Sequence, residues 1–501
     1  MKMQGSLLAA ASVLVPLASA VTYVTVDGGE FVNNATGNRM DIIGVTYQPG
    51  GSSGFDGTAD PLSDADACLR DAILMQQLGV NTLRVYNVAP DLNHDECVSI
   101  FNAAGIYMLI DVNSGLSGQY IDRSDPSTTY TLAYLKHIFA VVEAFWGYPN
   151  LLGFFAGNEV LNEDSSDDAA IYIRAIVRDL KEYIALHSPR AIGVGYSAAD
   201  VDTMLSDTWN YLGCTLANST YSRIDFFGLN DYEWCGDSSY TESGYNKLVA
   251  EFADTDIPVF FSEYGCNLVT PRTFTNVPVL YGSEMTGLSG GLVYEYSQET
   301  DNYGLVAINS STEVTLLSDF VSLKAQYLSL DQSLLMTANK SLASASTSTC
   351  GASLITESAV PTSWDLPDRP SGGNALVTSG LTSASTGALT SVTATTMPAT
   401  VYDTAGSTVT GYSLVSFGCS DVNYPGLAKT YSASAQTCVY ASSTAKSDGS
   451  TAGSGSSTST STSTGKKSGT SRTAVGPFAD KFGLAITAGL VILSLGGALA
   501  L

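Results

Sequence analysis

Between residues 41 and 297 the chain alternates short runs of β-branched, aliphatic and aromatic residues with longer stretches of helical spacing. Such alternation predicts parallel strands joined by crossover helices. Eight runs have strand character, namely Asp41–Tyr47, Asn81–Tyr86, Tyr107–Val112, Leu151–Ala156, Ala191–Tyr196, Phe226–Tyr232, Val259–Tyr264 and Gly291–Ser297. The clearest helical stretches are Asp64–Leu78, Thr131–Phe145, Asp167–Leu186 and Tyr240–Phe252. Eight such units are what a closed (β/α)₈ barrel requires.

The alternative fold is an open, doubly wound α/β sheet. Such a sheet usually carries a glycine-rich phosphate turn after its first strand. Here the first strand is followed by Tyr47-Gln-Pro-Gly-Gly-Ser-Ser-Gly54, which lacks the G-x-G-x-x-G spacing. We therefore predict an α/β chain whose main domain is a (β/α)₈ TIM barrel.

The two ends of the chain resemble processing signals. Residues 1–20 combine a basic start, an apolar run and Ala18-Ser-Ala20, as in a secretory signal peptide. A membrane anchor is the alternative, but the apolar run is short for a core of about 30 Å. Residues 476–501 are largely apolar and follow the small residues 468–471, the pattern of a GPI-attachment signal. An ordinary tail-anchoring helix is the alternative at this end.

Composition changes after the barrel region. Residues 442–470 are nearly all Ser, Thr, Gly and Ala, too polar to bury a core, and we predict a disordered stalk. The predicted parts are a signal peptide at 1–20, the barrel domain at 21–355, a small irregular or β segment at 356–440 with one cysteine pair, a stalk at 441–475 and a removed hydrophobic tail at 476–501.

Charge and histidine content exclude several classes of function. Acidic side chains outnumber basic ones by 48 to 22, which gives a formal net charge of −26. Nucleic-acid binding needs a basic surface, so we expect no nucleic-acid partner. The chain has only three histidines, which leaves little room for a histidine-based metal site. We expect neither a metal nor a cofactor.

Cysteine use fits an extracellular protein. The chain has eight cysteines and no C-x-x-C pair, so disulfides are favoured over zinc, although the sequence leaves their pairing open. Four Asn-x-Ser/Thr sequons are candidate glycan acceptors, at Asn34, Asn218, Asn309 and Asn339.

Catalytic groups of a barrel lie at the carboxyl ends of its strands. The polar residues at or just beyond those ends include Gln48, Arg84, Tyr86, Asp111, Asn113, Asn158, Glu159, Asn230, Asp231, Tyr232, Glu233, Glu263, Tyr264, Tyr294 and Tyr296. Glu159 and Glu263 are notable because each follows an aromatic pair, where an unused charge is unfavourable.

Two carboxyl groups in a cleft rich in tyrosine suit glycoside chemistry. One must be protonated to release the leaving oxygen, and the other must be ionised to attack the anomeric carbon. A retaining reaction needs the two carboxyls about 5–5.5 Å apart, which strands four and seven of a barrel permit. The alternative is that both glutamates are salt-bridge partners at the barrel rim.

At these positions the chain resembles the fungal β-1,3-glucanosyltransferases, glycoside hydrolase family 72. The matching motifs are Gly44-Val-Thr-Tyr-Gln-Pro-Gly50, Leu83-Arg-Val-Tyr86, Phe155-Ala-Gly-Asn-Glu-Val160, Asn230-Asp-Tyr-Glu-Trp-Cys235, Phe260-Phe-Ser-Glu-Tyr-Gly-Cys-Asn267 and Tyr294-Glu-Tyr-Ser-Gln-Glu299. They occur in the family's order between about Val21 and Cys350, which makes the resemblance specific.

The resemblance implies roles for individual residues. Glu159 would be the general acid/base and Glu263 the nucleophile, while Asn158 would bind the 2-hydroxyl of the donor sugar. The residues implied to line the donor cleft are Gln48, Tyr86, Asp111, Tyr232 and Tyr294. The implied disulfides are Cys68–Cys97, Cys214–Cys350 and Cys235–Cys266, with Cys419 left to pair with Cys438.

The chain departs from the family pattern in two places. Asp200 is kept as an implied acceptor contact, but Leu205 stands near the position where an arginine is expected. Only Cys419 and Cys438 follow the barrel region, so the chain resembles the subgroup without a cysteine-rich carbohydrate-binding module.

The function implied by the resemblance is a retaining transfer. An internal β-1,3-glucan linkage would be cleaved, and the new reducing end joined to the non-reducing end of another glucan. The implied protein is a monomer, secreted and GPI-anchored to the outer face of the plasma membrane or held in the wall. One alternative is a secreted endo-β-1,3-glucanase, and another is a non-catalytic glucan-binding wall protein, which the presence of both glutamates disfavours.

Overall fold

A computed structural model of the chain describes residues 21–431, apart from 164–165, 218, 220, 340–341, 343–346, 358–359, 384 and 419–420. The predicted signal peptide, stalk and hydrophobic tail lie outside the described residues, as do Cys419, Cys438 and Asn218. In the part of the chain that is described, no helix is both long and apolar enough to cross a membrane.

The strands are short, and those of the central sheet are largely buried. In chain order they are β1 (Val24–Asp27), β2 (Glu30–Asn33), β3 (Ile42–Thr46), β4 (Thr82–Val85), β5 (Tyr107–Asp111), β6 (Leu151–Asn158), β7 (Gly193–Ala199), β8 (Phe226–Asp231), β9 (Val259–Tyr264), β10 (Gly290–Val293), β11 (Val306–Ser310), β12 (Glu313–Leu316), β13 (Thr400–Tyr402) and β14 (Thr408–Val409).

The helices lie mainly between the barrel strands. They are α1 (Ala65–Leu78), α2 (Asp95–Ala103), α3 (Pro126–Thr129), α4 (Leu132–Phe145), α5 (Ala169–His187), α6 (Leu205–Gly213), α7 (Tyr245–Glu251), α8 (Val277–Leu280), α9 (Ser318–Leu328), α10 (Gln332–Leu335), α11 (Gly373–Ser379) and α12 (Leu427–Thr430).

Eight parallel strands close into a barrel in the order β10-β3-β4-β5-β6-β7-β8-β9. Neighbouring strands pair in parallel around the ring, for example Gly44 with Thr82 and Tyr196 with Phe227. Away from their carboxyl ends the strands are mostly apolar on both faces, because side chains fill the barrel interior and helices cover its outside. The predicted (β/α)₈ barrel is therefore confirmed.

Two predicted elements extend at least four residues beyond the observed ones at one end. The eighth strand ends at Val293 instead of Ser297, and the residues after it form the turn that carries Tyr294 into the barrel mouth. The predicted helix over 240–252 begins only at Tyr245, because Gly244 at its N-cap has a φ of 78°, outside helical geometry. Helices α1 and α4 begin one residue after their predicted starts, because Asp64 and Thr131 are the N-caps, whose side chains accept hydrogen bonds from the first turn.

Aromatic side chains fill the end of the barrel opposite the mouth. Phe31 of the β1–β2 hairpin packs on Phe226 and Phe260, with ring centroids 6.0 and 5.7 Å away. The Phe226 ring needs space that only glycine leaves, because a Cβ on Gly195 would lie 2.2 Å from it. The hairpin thus closes this end, and the polar strand ends line the other.

Among the described residues, three disulfides stabilise the loops around the barrel. They join Cys68 to Cys97, Cys214 to Cys350 and Cys235 to Cys266. These are the pairs that the family resemblance implies. The third lies closest to the mouth, because it connects the segment after β8 to the segment after β9.

The chain that follows the predicted barrel domain packs along the outside of the barrel. Trp364 stacks on Tyr211 of α6 with centroids 5.0 Å apart, and Arg369 binds Asp179 of α5 at 2.7 Å. Strand β13 pairs with β12. Asn423 donates to a backbone carbonyl just before β4 at 2.7 Å. This segment therefore contributes directly to the stability of the barrel.

We predict that a chain ending at residue 355 is much less stable than one ending at residue 440. The shorter chain exposes Tyr211 and removes Arg369 from the buried Asp179. Loss of a large buried aromatic contact costs about 3–5 kcal/mol, whereas Asp179 keeps Arg178 as an ion-pair partner, so we expect a loss of about 3 kcal/mol or more. Denaturant unfolding followed by tryptophan fluorescence measures this. Equal midpoints for the two chains would contradict the packing described here.

Candidate active site

The two glutamates lie at the mouth of the barrel on strands that are not neighbours. Glu263 is near the end of β9 and is 8% exposed, whereas Glu159 immediately follows β6 and is half-buried. Glu159 has a φ of 47°, unusual for a residue other than glycine. Its backbone N–H donates to the Ser197 carbonyl at 2.9 Å, so β7 holds it in this conformation.

Three donors surround the carboxylate of Glu263. The Tyr86 hydroxyl donates to Oε1 and the Tyr232 hydroxyl to Oε2, each at 2.7 Å. The Arg84 guanidinium lies 3.4 Å from Oε1. All three favour the ionised carboxylate, and they fix the plane of its two oxygens.

Burial dominates the titration of this group. It raises the pKa of Glu263 from the usual 4.5 to about 7. The positive charge of Arg84 opposes that rise, the charge of nearby Glu159 adds to it, and the two tyrosine hydrogen bonds lower the pKa. The two carboxyl groups are thus close enough to interact electrostatically.

Arg84 is a fully buried cation below the two glutamates. Its Nε and Nη2 donate to both oxygens of Asp111, at 3.0 and 2.8 Å. The guanidinium also lies over the rings of Phe155 and Tyr86, 4.5 and 4.6 Å from their centroids. A two-pronged carboxylate contact and aromatic faces are favourable surroundings for a buried arginine.

Two asparagines extend the hydrogen bonding from Arg84 to Glu159. The oxygen of Asn158 accepts from Arg84 at 2.9 Å, from Ser197 at 2.8 Å and from Asn230 at 3.1 Å. Because an arginine can only donate, the amide orientation of Asn158 is determined. The same Asn230 amide donates to Glu159 Oε1 at 2.8 Å. Glu159 therefore has a neutral hydrogen-bond donor where Glu263 has a cation.

Gln48 follows β3 and has a similarly fixed amide. Its side-chain oxygen accepts from the backbone N–H groups of Tyr86 and Asn87, at 3.2 and 3.0 Å. These two hydrogen bonds hold the oxygen against the backbone after β4, and the NH₂ group of the amide can donate to other partners.

Tyrosine rings form one wall of the mouth. Tyr294 packs edge-on against Tyr86 and Tyr232, with centroids 6.5 and 6.4 Å away, and against Tyr303 at 5.1 Å. Tyr303 also meets Tyr232 at 5.9 Å. Such rings offer both apolar faces and hydroxyl groups, as a sugar-binding cleft requires.

Asp200 lies to one side of these groups, after β7, and lines an acidic cavity of about 320 Å³ that Leu205 also borders. Burial and the charge of Glu233 raise the pKa of Asp200 to about 6. Its neighbour Asp231 is 1% exposed, and burial followed by the charge of Asp200 raises the pKa of Asp231 well above its usual range. Leu205 is 7% exposed and adds an apolar side chain to the lining of this cavity, which also includes Lys247.

The structure brings nearly all the predicted site residues together. Glu159, Glu263 and the residues Gln48, Tyr86, Asp111, Asn158, Tyr232 and Tyr294 share the mouth, and Asp200 lies beside it. Asp111 is 1% exposed and binds Arg84 with both of its oxygens, so it supports the site from beneath.

No group of three or more His, Cys, Asp or Glu side chains suited to a metal occurs among the described residues.

Sequence reasoning did not anticipate the roles of Arg84, Asn230 and Tyr303. The first two were visible as polar residues at strand ends, but nothing in their spacing indicated which carboxyl each would contact. Tyr303 lies ten residues after the last barrel strand, so a search for polar residues at the strand ends does not include it.

Comparison with known proteins identifies the family of the chain. The family model for the glucanosyltransferases of glycoside hydrolase family 72 matches residues 13–331. The chain belongs to this family. The prediction drawn from the sequence motifs is therefore confirmed.

Two curated relatives from this family cover most of the chain. The 1,3-beta-glucanosyltransferase gel2 of Aspergillus fumigatus is 55% identical over 421 residues, which is 84% of this chain and 88% of the relative. The probable 1,3-beta-glucanosyltransferase GAS3 of Saccharomyces cerevisiae is 46% identical over 412 residues, 77% of this chain and 78% of the relative.

Solved structures of a family member resemble the barrel. Saccharomyces cerevisiae Gas2p in complex with laminaripentaose is 37% identical, with a TM-score of 0.63 over 70% of this chain and 78% of that chain. A glutamate-to-glutamine mutant of Gas2p, in complex with laminaritetraose and laminaripentaose, is 36% identical, with a TM-score of 0.62 over 70% of this chain and 75% of that chain.

We predict that Tyr232→Phe raises the pKa of Glu263 further, by about one unit. A hydrogen bond to a charged group contributes roughly 1.5 kcal/mol or more, and the variant removes one that favours the carboxylate. The pH dependence of carbodiimide labelling, followed by mass spectrometry of the Glu263 peptide, measures the shift. Tyr303→Phe is the matched control, and an equal shift in both variants would contradict the assigned contact.

Proposed function

We propose that the chain is a retaining β-1,3-glucanosyltransferase in which Glu263 is the nucleophile and Glu159 the general acid/base. The observation that carries this assignment is the contrast between the two carboxyl environments. Glu263 is buried among Arg84 and two tyrosine hydroxyls, donors that oppose the rise of its pKa on burial and orient its oxygens for attack. Glu159 is half-buried and bonded to a neutral amide, so it can exchange a proton with a substrate oxygen.

In the first step a β-1,3-glucan donor lies across the mouth. A Glu263 oxygen forms a bond to the anomeric carbon of an internal glucose unit, and the glycosidic C–O bond breaks. Glu159 donates its proton to the departing oxygen, so the reducing-end fragment leaves as an alcohol. The product is a covalent glycosyl-enzyme with Glu159 ionised.

In the second step Glu159 acts as the base. It takes the proton of the 3-hydroxyl at the non-reducing end of a second glucan as that oxygen attacks the anomeric carbon. The bond to Glu263 breaks and its carboxylate is restored, while the stereochemistry at the anomeric carbon is retained overall. Water in place of the second glucan would give hydrolysis.

The donor sugar would contact groups whose orientation the structure fixes. The oxygen of Asn158 accepts three hydrogen bonds, which leaves its NH₂ group to donate to the 2-hydroxyl. The Gln48 amide presents its NH₂ group in the same way. Tyr86, Tyr232 and Tyr294 would line the sugar, and Asp111 would act through Arg84.

Transfer is favoured over hydrolysis by the relatives. Gel2 and GAS3 are named as glucanosyltransferases, and Gas2p is described with laminari-oligosaccharides bound. A plain endo-β-1,3-glucanase remains the alternative for the chemistry itself, because the same two carboxyls would serve it.

An extracellular location fits the three disulfides and the exposed sequon at Asn309. We propose that the protein is a secreted monomer held by a GPI anchor at the outer face of the plasma membrane. Its partners are donor and acceptor chains of β-1,3-glucan, with Asp200 on the acceptor side.

The test incubates the secreted protein with a borohydride-reduced laminari-oligosaccharide and sizes the products by mass spectrometry. Transfer produces chains longer than the starting material. If all the products are shorter than the starting material, the chain is an endoglucanase. If the oligosaccharide does not change in size, the chain is a glucan-binding protein without this activity.

Single substitutions test the assigned roles. We predict that Glu263→Gln and Glu159→Gln each lower kcat at least about 10³-fold, because each removes an essential participant. The exposed Glu313→Gln, on β12 outside the barrel, is the matched control and should retain near wild-type kcat. Near wild-type turnover in Glu263→Gln would refute the proposed nucleophile.

A further inference from the structure

Arg272 is a second buried arginine, outside the network of Arg84. It lies in the loop between β9 and α8 and is 3% exposed. Its Nε donates to Oδ2 of Asp319, on α9, at 2.6 Å. This ion pair neutralises the charge and fixes the plane of the guanidinium, so the remaining N–H groups point in set directions.

Those remaining groups bind three backbone carbonyls on three separate segments. Nη1 donates to the carbonyls of Gly265 at 3.0 Å and of Tyr294 at 2.6 Å, while Nη2 donates to the carbonyl of Tyr303. The guanidinium also lies 5.6 Å from the centroid of the Tyr303 ring. One side chain thus joins the end of the nucleophile strand to both tyrosine-bearing segments after β10.

The carbonyls belong to the segments that carry the reacting group and the aromatic wall. Gly265 is two residues beyond Glu263. Tyr294 and Tyr303 pack edge-on against each other and against Tyr232, whose hydroxyl donates to Glu263. A shift of either backbone carbonyl would move the ring attached to it, and with it the contact between Tyr232 and the nucleophile.

We propose that Arg272 is a positioning residue for catalysis, which sets the tyrosine wall of the donor site and, through Tyr232, the environment of Glu263. The inference rests on the proposed function and adds a residue to it. A lysine cannot replace the arginine, because a single ammonium cannot bind Asp319 and three carbonyls in one plane.

The main variant is Arg272→Lys, which keeps the charge and most of the volume. We expect kcat/KM for a reduced laminari-oligosaccharide to fall about 10- to 100-fold, with KM raised as the tyrosine wall loosens. We also expect the acid limb of the pH profile of kcat/KM to move to higher pH, because Tyr232 no longer holds Glu263 ionised. The other titratable and charged groups that face Glu263 are Arg84, Glu159, Glu295, Tyr86, Tyr294 and Tyr303.

Arg174→Lys is the matched control. Arg174, on α5, is also fully buried and also donates to backbone carbonyls, but these are the carbonyls of Tyr211 and Cys214 at the end of α6, in the helical layer outside the barrel. We expect Arg174→Lys to lower thermal stability about as much as Arg272→Lys does. The folded Arg174→Lys protein should nevertheless keep the wild-type KM and pH profile.

Asp319→Asn is the second variant, in case Arg272→Lys folds poorly. It keeps Arg272 but removes the charge that fixes its plane, so we expect a smaller change in KM in the same direction. If Arg272→Lys and Asp319→Asn keep the wild-type KM and pH profile, as Arg174→Lys should, Arg272 is structural only and the inference is overturned. Failure of the wild-type protein to act on the oligosaccharide would instead refute the proposed function.

Discussion

The buried charge of Arg84 is the constraint on which the rest of the site depends. A cation in the barrel interior must be neutralised, and removing one partner of such a pair typically costs about 3–5 kcal/mol. Arg84, on β4, contacts Asp111 on β5, Asn158 on β6, Ser197 on β7 and Glu263 on β9. Five of the eight barrel strands are therefore held in register by the same group that contacts Glu263. The contacts of Arg84 that stabilise the barrel are therefore also the contacts that set the geometry of the site.

This arrangement also gives two side chains of the same type, Glu263 and Glu159, different surroundings. Glu263 receives a cation and two hydroxyl donors, whereas Glu159 receives a neutral amide from Asn230 and more solvent. The difference follows from the positions of the two glutamates in the barrel. Glu263, on β9, contacts Arg84, whereas Glu159, just after β6, contacts Asn230 instead. Arg272 adds a second point of support, on the outer side of the tyrosine wall. The site is thus held from below by one arginine and from the side by another.

The sequence predicted the barrel, its eight strands and both glutamates, because alternation and strand-end polarity are local properties. It could not predict the role of Arg84 or Arg272, because their partners are far along the chain and only the closed barrel brings them near. The disulfide pairs needed the family resemblance, since eight cysteines allow many pairings. Helix α7 was predicted too long because a glycine with positive φ interrupts a helical pattern without altering its periodicity. The packing of Trp364 and Asn423 on the barrel gave no signal in the composition of their segment.

The central claim is that Glu263 forms a covalent bond to the donor sugar while Glu159 handles the proton. A laminaribiosyl fluoride bearing fluorine at C2 of the reacting sugar slows breakdown of such an intermediate and lets it accumulate. Mass spectrometry of the intact protein, followed by proteolysis, then locates the added disaccharide. The account predicts one added disaccharide per molecule, on the peptide that contains Glu263. A label on any other residue, or turnover of unlabelled enzyme with inverted product, would contradict it.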